Sequence, residues 1–268
     1  MSTTALIAGT GALPALLAAA MTGEWVLCEM EGFASAVPGV DPLRFRVERL
    51  VPFLERLVAR GVRRVVFAGA MRRPQLDPEL FDPRTATLVP RLLAALQAGD
   101  DATLREVIAI FEEWDLVVVG AEQIAPGLVP GPGVLTGAPS EADTADVLRA
   151  AAIVAALGAV DVGQGAVVAQ GLCLAVEALP GTDAMLEFAA LHHALRPDPN
   201  GARGVFYKAP KPGQDRRIDL PALGPDTVAH AAAAGLAGIA WEAGGVLLLD
   251  RDATLAAARE RGLFLWAR

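Results

Sequence analysis

Apolar and polar positions along the chain fall into two regimes. Up to about residue 120, short apolar runs alternate with amphipathic stretches. Residues 5–9, 25–30, 62–70 and 116–120 read as strands. Residues 13–21, 47–60, 90–97 and 102–114 read as helices, and in 47–60 the side chains of Leu50, Phe53, Leu54 and Leu57 share one face. Residues 32–45 read as a loop. Strands alternating with helices predict a parallel, Rossmann-like sheet.

The alternation stops at residues 125–139, a stretch rich in Pro and Gly that reads as a linker. Ser140, with Glu141 and Asp143 behind it, predicts the start of a helix running to about residue 157. A long β-type run, 166–179, broken at Gly171, predicts a hairpin that carries Gln164 and Glu177 at its ends. Thr182 and Asp183 read as the cap of a helix over 185–195. Residues 205–208, 241–250 and 263–266 read as further strands, with His230 on the Ala-rich helix between them. The expected fold class is α/β: a Rossmann-like N-terminal domain, 1–124, a linker, 125–139, and a distinct α/β C-terminal domain, 140–268.

Composition narrows the function. Hydrophobic residues make up 53% of 268, ample for two cores, and the formal charge of −8 argues against a general nucleic-acid binder. Cys28 and Cys173 are too few for a disulfide framework or a Cys zinc site, and a reducing cytoplasm fits them. The three histidines, at 192, 193 and 230, do not make a His-rich metal centre. No P-loop, nucleophile elbow or zinc-protease motif occurs.

Against this apolar background one segment stands out, residues 208–224, KAPKPGQDRRIDLPALG. Pro210, Pro212 and Pro221 hold it extended. Lys208, Lys211, Arg216 and Arg217 suit an anionic ligand, phosphate above all. Asp215 and Asp219 among them suit a metal or a proton transfer. Alone, such a segment reads as a solvated loop. Its company makes it a candidate site. The Gly9-Thr10-Gly11-Ala12 turn after the first strand can offer backbone N–H groups to phosphate. It lacks the third glycine of a dinucleotide fingerprint, so it marks a ligand near the first turn rather than a dinucleotide site. The third strand ends in small residues that include Gly69, and Met71, Arg72 and Arg73 follow it, where open α/β sheets bind ligands. Asp100 and Asp101 read as a helix N-cap pair, with a metal or a sugar hydroxyl as the alternative partner.

The order of these motifs carries more than any one of them. LIAGTGALP, FAGAMRRP, GDDATLR, DVGQGAVV, AVEALPGTDAML, YKAPKPGQDRRIDLPALG and GLAGIAWEAG span the whole chain, which resembles the LpxI family of UDP-2,3-diacylglucosamine diphosphatases of lipid A biosynthesis. The resemblance implies a hydrolase that cleaves the pyrophosphate of UDP-2,3-diacylglucosamine to UMP and 2,3-diacylglucosamine 1-phosphate (lipid X). It implies Mg²⁺, with Mn²⁺ as the alternative ion, and a substrate held between the two domains. The acid of the DLP motif, here Asp219, is then essential. Lys208 and Asp183 join it as catalytic candidates, with Asp219 and Asp183 as metal ligands. Gly11, Ala12, Gly69, Arg72, Gln164, Thr182 and Lys211 are the substrate-binding candidates, and Asp215 is expected to be solvated. Family patterns commonly place a small polar residue where Met71 or Arg72 stands. The lipid substrate implies a cytoplasmic protein in peripheral contact with the inner membrane. Monomer and homodimer stay open. Two other classes compete: a nucleotide-dependent oxidoreductase, and a non-catalytic nucleotide-sugar or lipid-binding protein. UMP release and NAD(P)H binding separate the three.

Overall fold

The computed structural model describes residues 3–72 and 74–268. The chain divides into two compact units. The first comprises Met1–Pro126 together with Asp215–Asp219, the second Gly127–Gln214 with Leu220–Arg268.

Among the described residues the first unit holds a five-stranded parallel sheet of β1 (Thr3–Ala8), β2 (Trp25–Met30), β3 (Leu43–Phe45), β4 (Val62–Ala68) and β5 (Val117–Val119). Their order is β3-β2-β1-β4-β5, that of a doubly wound α/β sheet. Every residue of β1 is buried, which explains its unbroken apolar run. α1 (Leu13–Ala20) packs on β1 and β4. On the opposite face, α2 (Leu50–Ala59) and α5 (Asp100–Glu112) bury Phe53, Leu54, Leu57, Ile108 and Phe111 against Ile7, Cys28, Val65 and Phe67. The short helices α3 (Pro83–Ala86) and α6 (Ala121–Ile124) and the longer α4 (Val89–Ala98) complete this unit. The stretch read as a loop therefore ends in the edge strand β3. The N-cap of α5 is Gly99 rather than an aspartate. Asp101 instead pairs with Arg105 at 2.7 Å. The Asp100 side chain and Arg73 lie outside what the structure describes.

In the second unit, β6 (Gly133–Thr136), β7 (Gly165–Ala169), β8 (Leu172–Val176), β9 (Val205–Lys208), β11 (Gly238–Trp241) and β13 (Phe264–Ala267) form a mixed sheet in the order β6-β13-β11-β9-β7-β8. β10 (Ala222–Leu223) and β12 (Leu247–Leu248) make a separate parallel pair. α7 (Glu141–Ala159) covers one face through Val147, Ala150 and Val154. α8 (Gly181–Leu191), α9 (Pro225–Ala233) and α10 (Arg251–Glu260) cover the other, around Leu186, Phe206, Val228 and Trp241. α7 starts as its sequence dictates: the Ser140 hydroxyl accepts from the Asp143 N–H at 3.1 Å, and the Asp143 carboxylate accepts from the Ser140 N–H at 2.9 Å.

Three local readings need correction. The Pro/Gly stretch read as linker contains β6, which pairs antiparallel with β13 because its alternating Val134 and Thr136 can join an open sheet edge. The run 241–250 is not one strand; Ala243, Gly244 and Gly245 turn the chain between β11 and β12, and Gly244 adopts φ +72°. Thr182 and Asp183 do not cap a helix at 185. α8 begins at Gly181 with Pro180 in the N-cap position and no side-chain cap, so both residues sit in its first turn. Among the described residues no helix is long and apolar enough to cross a membrane.

Candidate active site

Lys208 is the last residue of β9, at the carboxyl end of the parallel strands β9, β11 and β13. It lies opposite Gly165 of β7 and beside Trp241 of β11. The residue is only 5% exposed, so its ammonium must be satisfied inside the protein. The Lys208 Nζ donates to Thr182 Oγ1 at 2.6 Å and to the Ala222 carbonyl at 3.3 Å. The Thr182 hydroxyl in turn donates to Glu177 Oε2 at 3.0 Å. Glu177 is buried, and its Oε2 lies 3.9 Å from the Lys208 Nζ. A cation and a carboxylate are thus joined through one hydroxyl, which the first turn of α8 supplies.

The sequence builds this cluster with two glycines. A Cβ on Gly163 would lie 1.9 Å from the Glu177 carbonyl oxygen, and one on Gly165 would lie 2.6 Å from Glu177 Oε2. Only glycine on both sides of Gln164 lets Glu177 sit where it does. Gln164 between them carries a buried Oε1 that no donor among the described residues reaches. The β7–β8 hairpin that brings Glu177 back is closed by Gln170 and Gly171, with φ of +54° and +78°. Buried Asp146 on α7 fixes that turn by accepting from the N–H groups of both residues, at 2.9 and 2.7 Å.

Asp183, one residue after Thr182, is well exposed. Its Oδ1 lies 3.5 Å from His230 Nδ1 on α9, and Glu187 Oε1 is 3.8 Å from the other ring nitrogen. Both distances are those of charge proximity, not of short hydrogen bonds. His192 and His193 lie at the end of α8, bonded to the carbonyls of Phe188 and Ala190.

The segment after Lys208 is held at several points. The Lys211 Nζ is 2.6 Å from Asp161 Oδ1, and its N–H donates to Gln214 Oε1 at 2.8 Å. Gly158, inside α7, leaves room for Pro212, whose Cδ a Cβ would approach to 2.7 Å. Residues 215–219 then belong to the first unit. Asp215 is not solvated: Arg217 grips its carboxylate through Nε at 3.0 Å and Nη2 at 2.7 Å, and the Arg217 Nη1 reaches Glu112 at 2.7 Å. These hydrogen bonds hold the Asp215 carboxyl below its ordinary value and raise that of Arg217. Arg217 is therefore committed to two carboxylates. Asp219 closes the turn, its N–H 3.4 Å from the Asp215 carbonyl.

In the first unit the glycine turns after β1 and β4 are zipped together. Thr10 and Ala70 exchange backbone hydrogen bonds at 3.0 and 2.9 Å. Gly69, at φ +88°, could carry no side chain: a Cβ would meet the Thr10 carbonyl oxygen at 2.5 Å. Gly11 (φ +95°) and Ala12, the N-cap of α1, are exposed beyond this clasp, as is Arg72. The clasp sits where the strand order reverses between β1 and β4, the switch point of an open sheet. Glu29, near the end of β2, has its Oε1 occupied by the Ser35 N–H and hydroxyl at 2.8 and 2.7 Å.

The structure thus brings Lys208 and Thr182 together, adds Glu177, and places Asp183 and Gln164 in the same unit. Asp219 falls in the first unit, with Gly11, Ala12, Gly69 and Arg72. Among the described residues no three His, Cys, Asp or Glu side chains converge as a metal site. One signal in the sequence points at the Lys208 cluster. Of 23 basic residues, two are lysines, Lys208 and Lys211. A chain that otherwise writes arginine keeps a compact ammonium at the buried position.

Residues 3–128 match the family described as the LpxI N-terminal domain, and residues 131–266 match the LpxI C-terminal domain. The chain is 40% identical over 269 residues to the UDP-2,3-diacylglucosamine pyrophosphatase LpxI of Caulobacter vibrioides, covering 97% of this chain and 95% of that protein.

Proposed function

The chain belongs to the LpxI family, and from that premise we propose that it hydrolyses the pyrophosphate of UDP-2,3-diacylglucosamine, releasing UMP and 2,3-diacylglucosamine 1-phosphate in lipid A synthesis. The observation that carries the reading is the full-length 40% identity to a pyrophosphatase of that name. The buried Lys208–Thr182–Glu177 cluster gives it a physical basis. A pyrophosphate diester resists water because its anionic oxygens repel a nucleophile, and a fixed, desolvated cation relieves that repulsion. Lys208 is that cation in this reading. In this reading the first turn of α8 offers backbone N–H groups to phosphate oxygens, while the Thr182 hydroxyl holds the Lys208 ammonium.

Asp219 is proposed as the acid that activates water or holds the metal, with Asp183 as a second carboxylate. Gln164, whose amide oxygen has no partner among the described residues, is proposed to orient water. The exposed N–H groups at Gly11 and Ala12, with Gly69 and Arg72, are proposed to bind the nucleotide or sugar end, so both units contribute residues. Mg²⁺ is part of the proposal. That ion commonly takes one or two carboxylates and completes its shell with water and substrate phosphate oxygens, so a three-residue protein cage is not required. When bound it would neutralise phosphate charge. Contact with the membrane follows from the lipid substrate, as a peripheral association.

The deciding experiment is UMP release from UDP-2,3-diacylglucosamine with Mg²⁺, with Mn²⁺ and with EDTA. UMP with either metal and none with chelator is the expected result. Absence of UMP under every condition, with substrate bound, would leave a binding protein.

A further inference from the structure

We propose that Glu177 is a positioning residue for the phosphate-binding pair: it orients the Thr182 hydroxyl and, through it, fixes the Lys208 ammonium. The inference rests on the hydrolase reading above and assigns a role to a residue which that reading leaves without one.

Three observations carry it. First, Glu177 is 7% exposed, and a carboxylate is not buried without a partner that needs it. Second, the chain is shaped to seat it. Gly163 and Gly165 both lack the Cβ that would collide with Glu177, at 1.9 and 2.6 Å, and the Glu177 N–H is anchored on the Gly165 carbonyl at 2.8 Å. Third, the hydrogen bonds have a direction. A threonine hydroxyl has one proton. Given to Glu177 Oε2 at 3.0 Å, that proton leaves the oxygen lone pairs facing Lys208, whose Nζ donates to them at 2.6 Å. Were the proton turned toward Lys208, two donors would oppose each other. Glu177 therefore sets the polarity of the hydroxyl. Its charge, 3.9 Å from Nζ, also offsets the cost of burying a cation. A merely structural ion pair would have gained more from direct contact. The interposed hydroxyl makes sense where the lysine must answer to an anion that comes and goes.

The test compares Glu177→Gln, Thr182→Val and the double variant with the parent. Glutamine keeps an acceptor for the hydroxyl but loses the charge. Glu177→Gln should stay folded but melt below the parent, since it leaves a buried ammonium without its carboxylate, lose about tenfold or more in kcat, and keep KM within about threefold. The double variant should be no worse than the poorer single one, because the two residues act as a unit. A readout independent of turnover comes from ¹⁵N-lysine labelling, which yields ammonium signals from Lys208 and Lys211 alone. The hydrogen-bonded Lys208 signal should be visible in the parent and broadened away by exchange in Glu177→Gln and Thr182→Val. Parental kcat in Glu177→Gln, additive losses in the double variant, or an unchanged Lys208 signal would each overturn the proposal. If Glu177→Gln does not fold, Glu177→Asp is read by the same criteria, and parental kcat with an unchanged Lys208 signal overturns it equally. A parent that shows the lysine behaviour but releases no UMP would sink the hydrolase reading and leave this assignment standing.

Discussion

Lys208 and Asp219 lie within one short segment, yet they belong to different compact units. Lys208 is buried and its ammonium is hydrogen-bonded to Thr182. Lys208→Met removes the charge and leaves Glu177 buried beside an apolar chain. Turnover should fall by about 10²–10³, the usual effect of losing one donor to a developing anion, and a UMP-release assay reads it directly. Asp219→Ala should abolish turnover at unchanged melting temperature while substrate stays bound, as equilibrium binding of the lipid nucleotide would show. Near-parental hydrolysis with Mg²⁺ would exclude Asp219 from the chemistry. The sequence made Lys208 and Thr182 legible because charge and helix starts leave local marks. Glu177 was not legible: an acid leaving a strand looks the same whether water or a lysine faces it. The glycines on both sides of Gln164 held the missing information, since they show that something occupies the space a Cβ would take.

At the scale of elements, the β7–β8 hairpin and the entry to α8 decide the site. Gly163→Ala and Gly165→Ala separate packing from positioning. At 163 the obstacle is backbone, the Glu177 carbonyl, which cannot move aside. That variant should lose about 2–3 kcal/mol in a urea melt. At 165 the nearest obstacle is the end of the Glu177 side chain, which can swing away. Gly165→Ala should therefore lose activity out of proportion to stability, and equal losses of both would contradict this. The hairpin was readable because Gln170-Gly171 is a turn signal between apolar runs. The start of α8 was misplaced because its N-cap is Pro180, with no side-chain cap, while Thr182-Asp183 imitates a capping pair two residues inside. Similarly, Trp241 and Leu247 belong to different strands because the Ala243-Gly244-Gly245 turn outweighs the apolar character on either side.

At the scale of the molecule, the alternation of strands and helices revealed the parallel sheet of the first unit, and the Pro/Gly stretch marked where its regular pattern stops. Which unit a Pro-bounded loop packs on is a tertiary matter, and nothing local foretold that residues 215–219 join the first. Their anchor is Arg217, held by Asp215 and Glu112. The hydrogen bonds from Arg217 keep the Asp215 carboxyl below its ordinary value of 3.8. Because the folded value is the lower one, the pair contributes fully above the ordinary value, and its contribution is lost as pH falls from there through the lower folded value. Asp215→Asn should lower stability at pH 7 by about 1 kcal/mol. The variant and the parent should converge in chemical melts only well below pH 3.8, once the folded Asp215 is protonated as well. A gap that persists in acid would mean that the effect is not electrostatic.

The same small segment bears on recombination between relatives. A crossover placed at residue 126, where the regular alternation ends, would divide Glu112 from Arg217 by ancestry, although they are bonded at 2.7 Å. The inheritable block is Met1–Pro126 plus five distant residues, Asp215–Asp219. A chimera that takes a relative's 1–126 together with its 215–219 should melt closer to its parents than one that takes 1–126 alone. Lineages that exchange the front of this gene would need to carry a second, tiny insert from the same donor or lose the match.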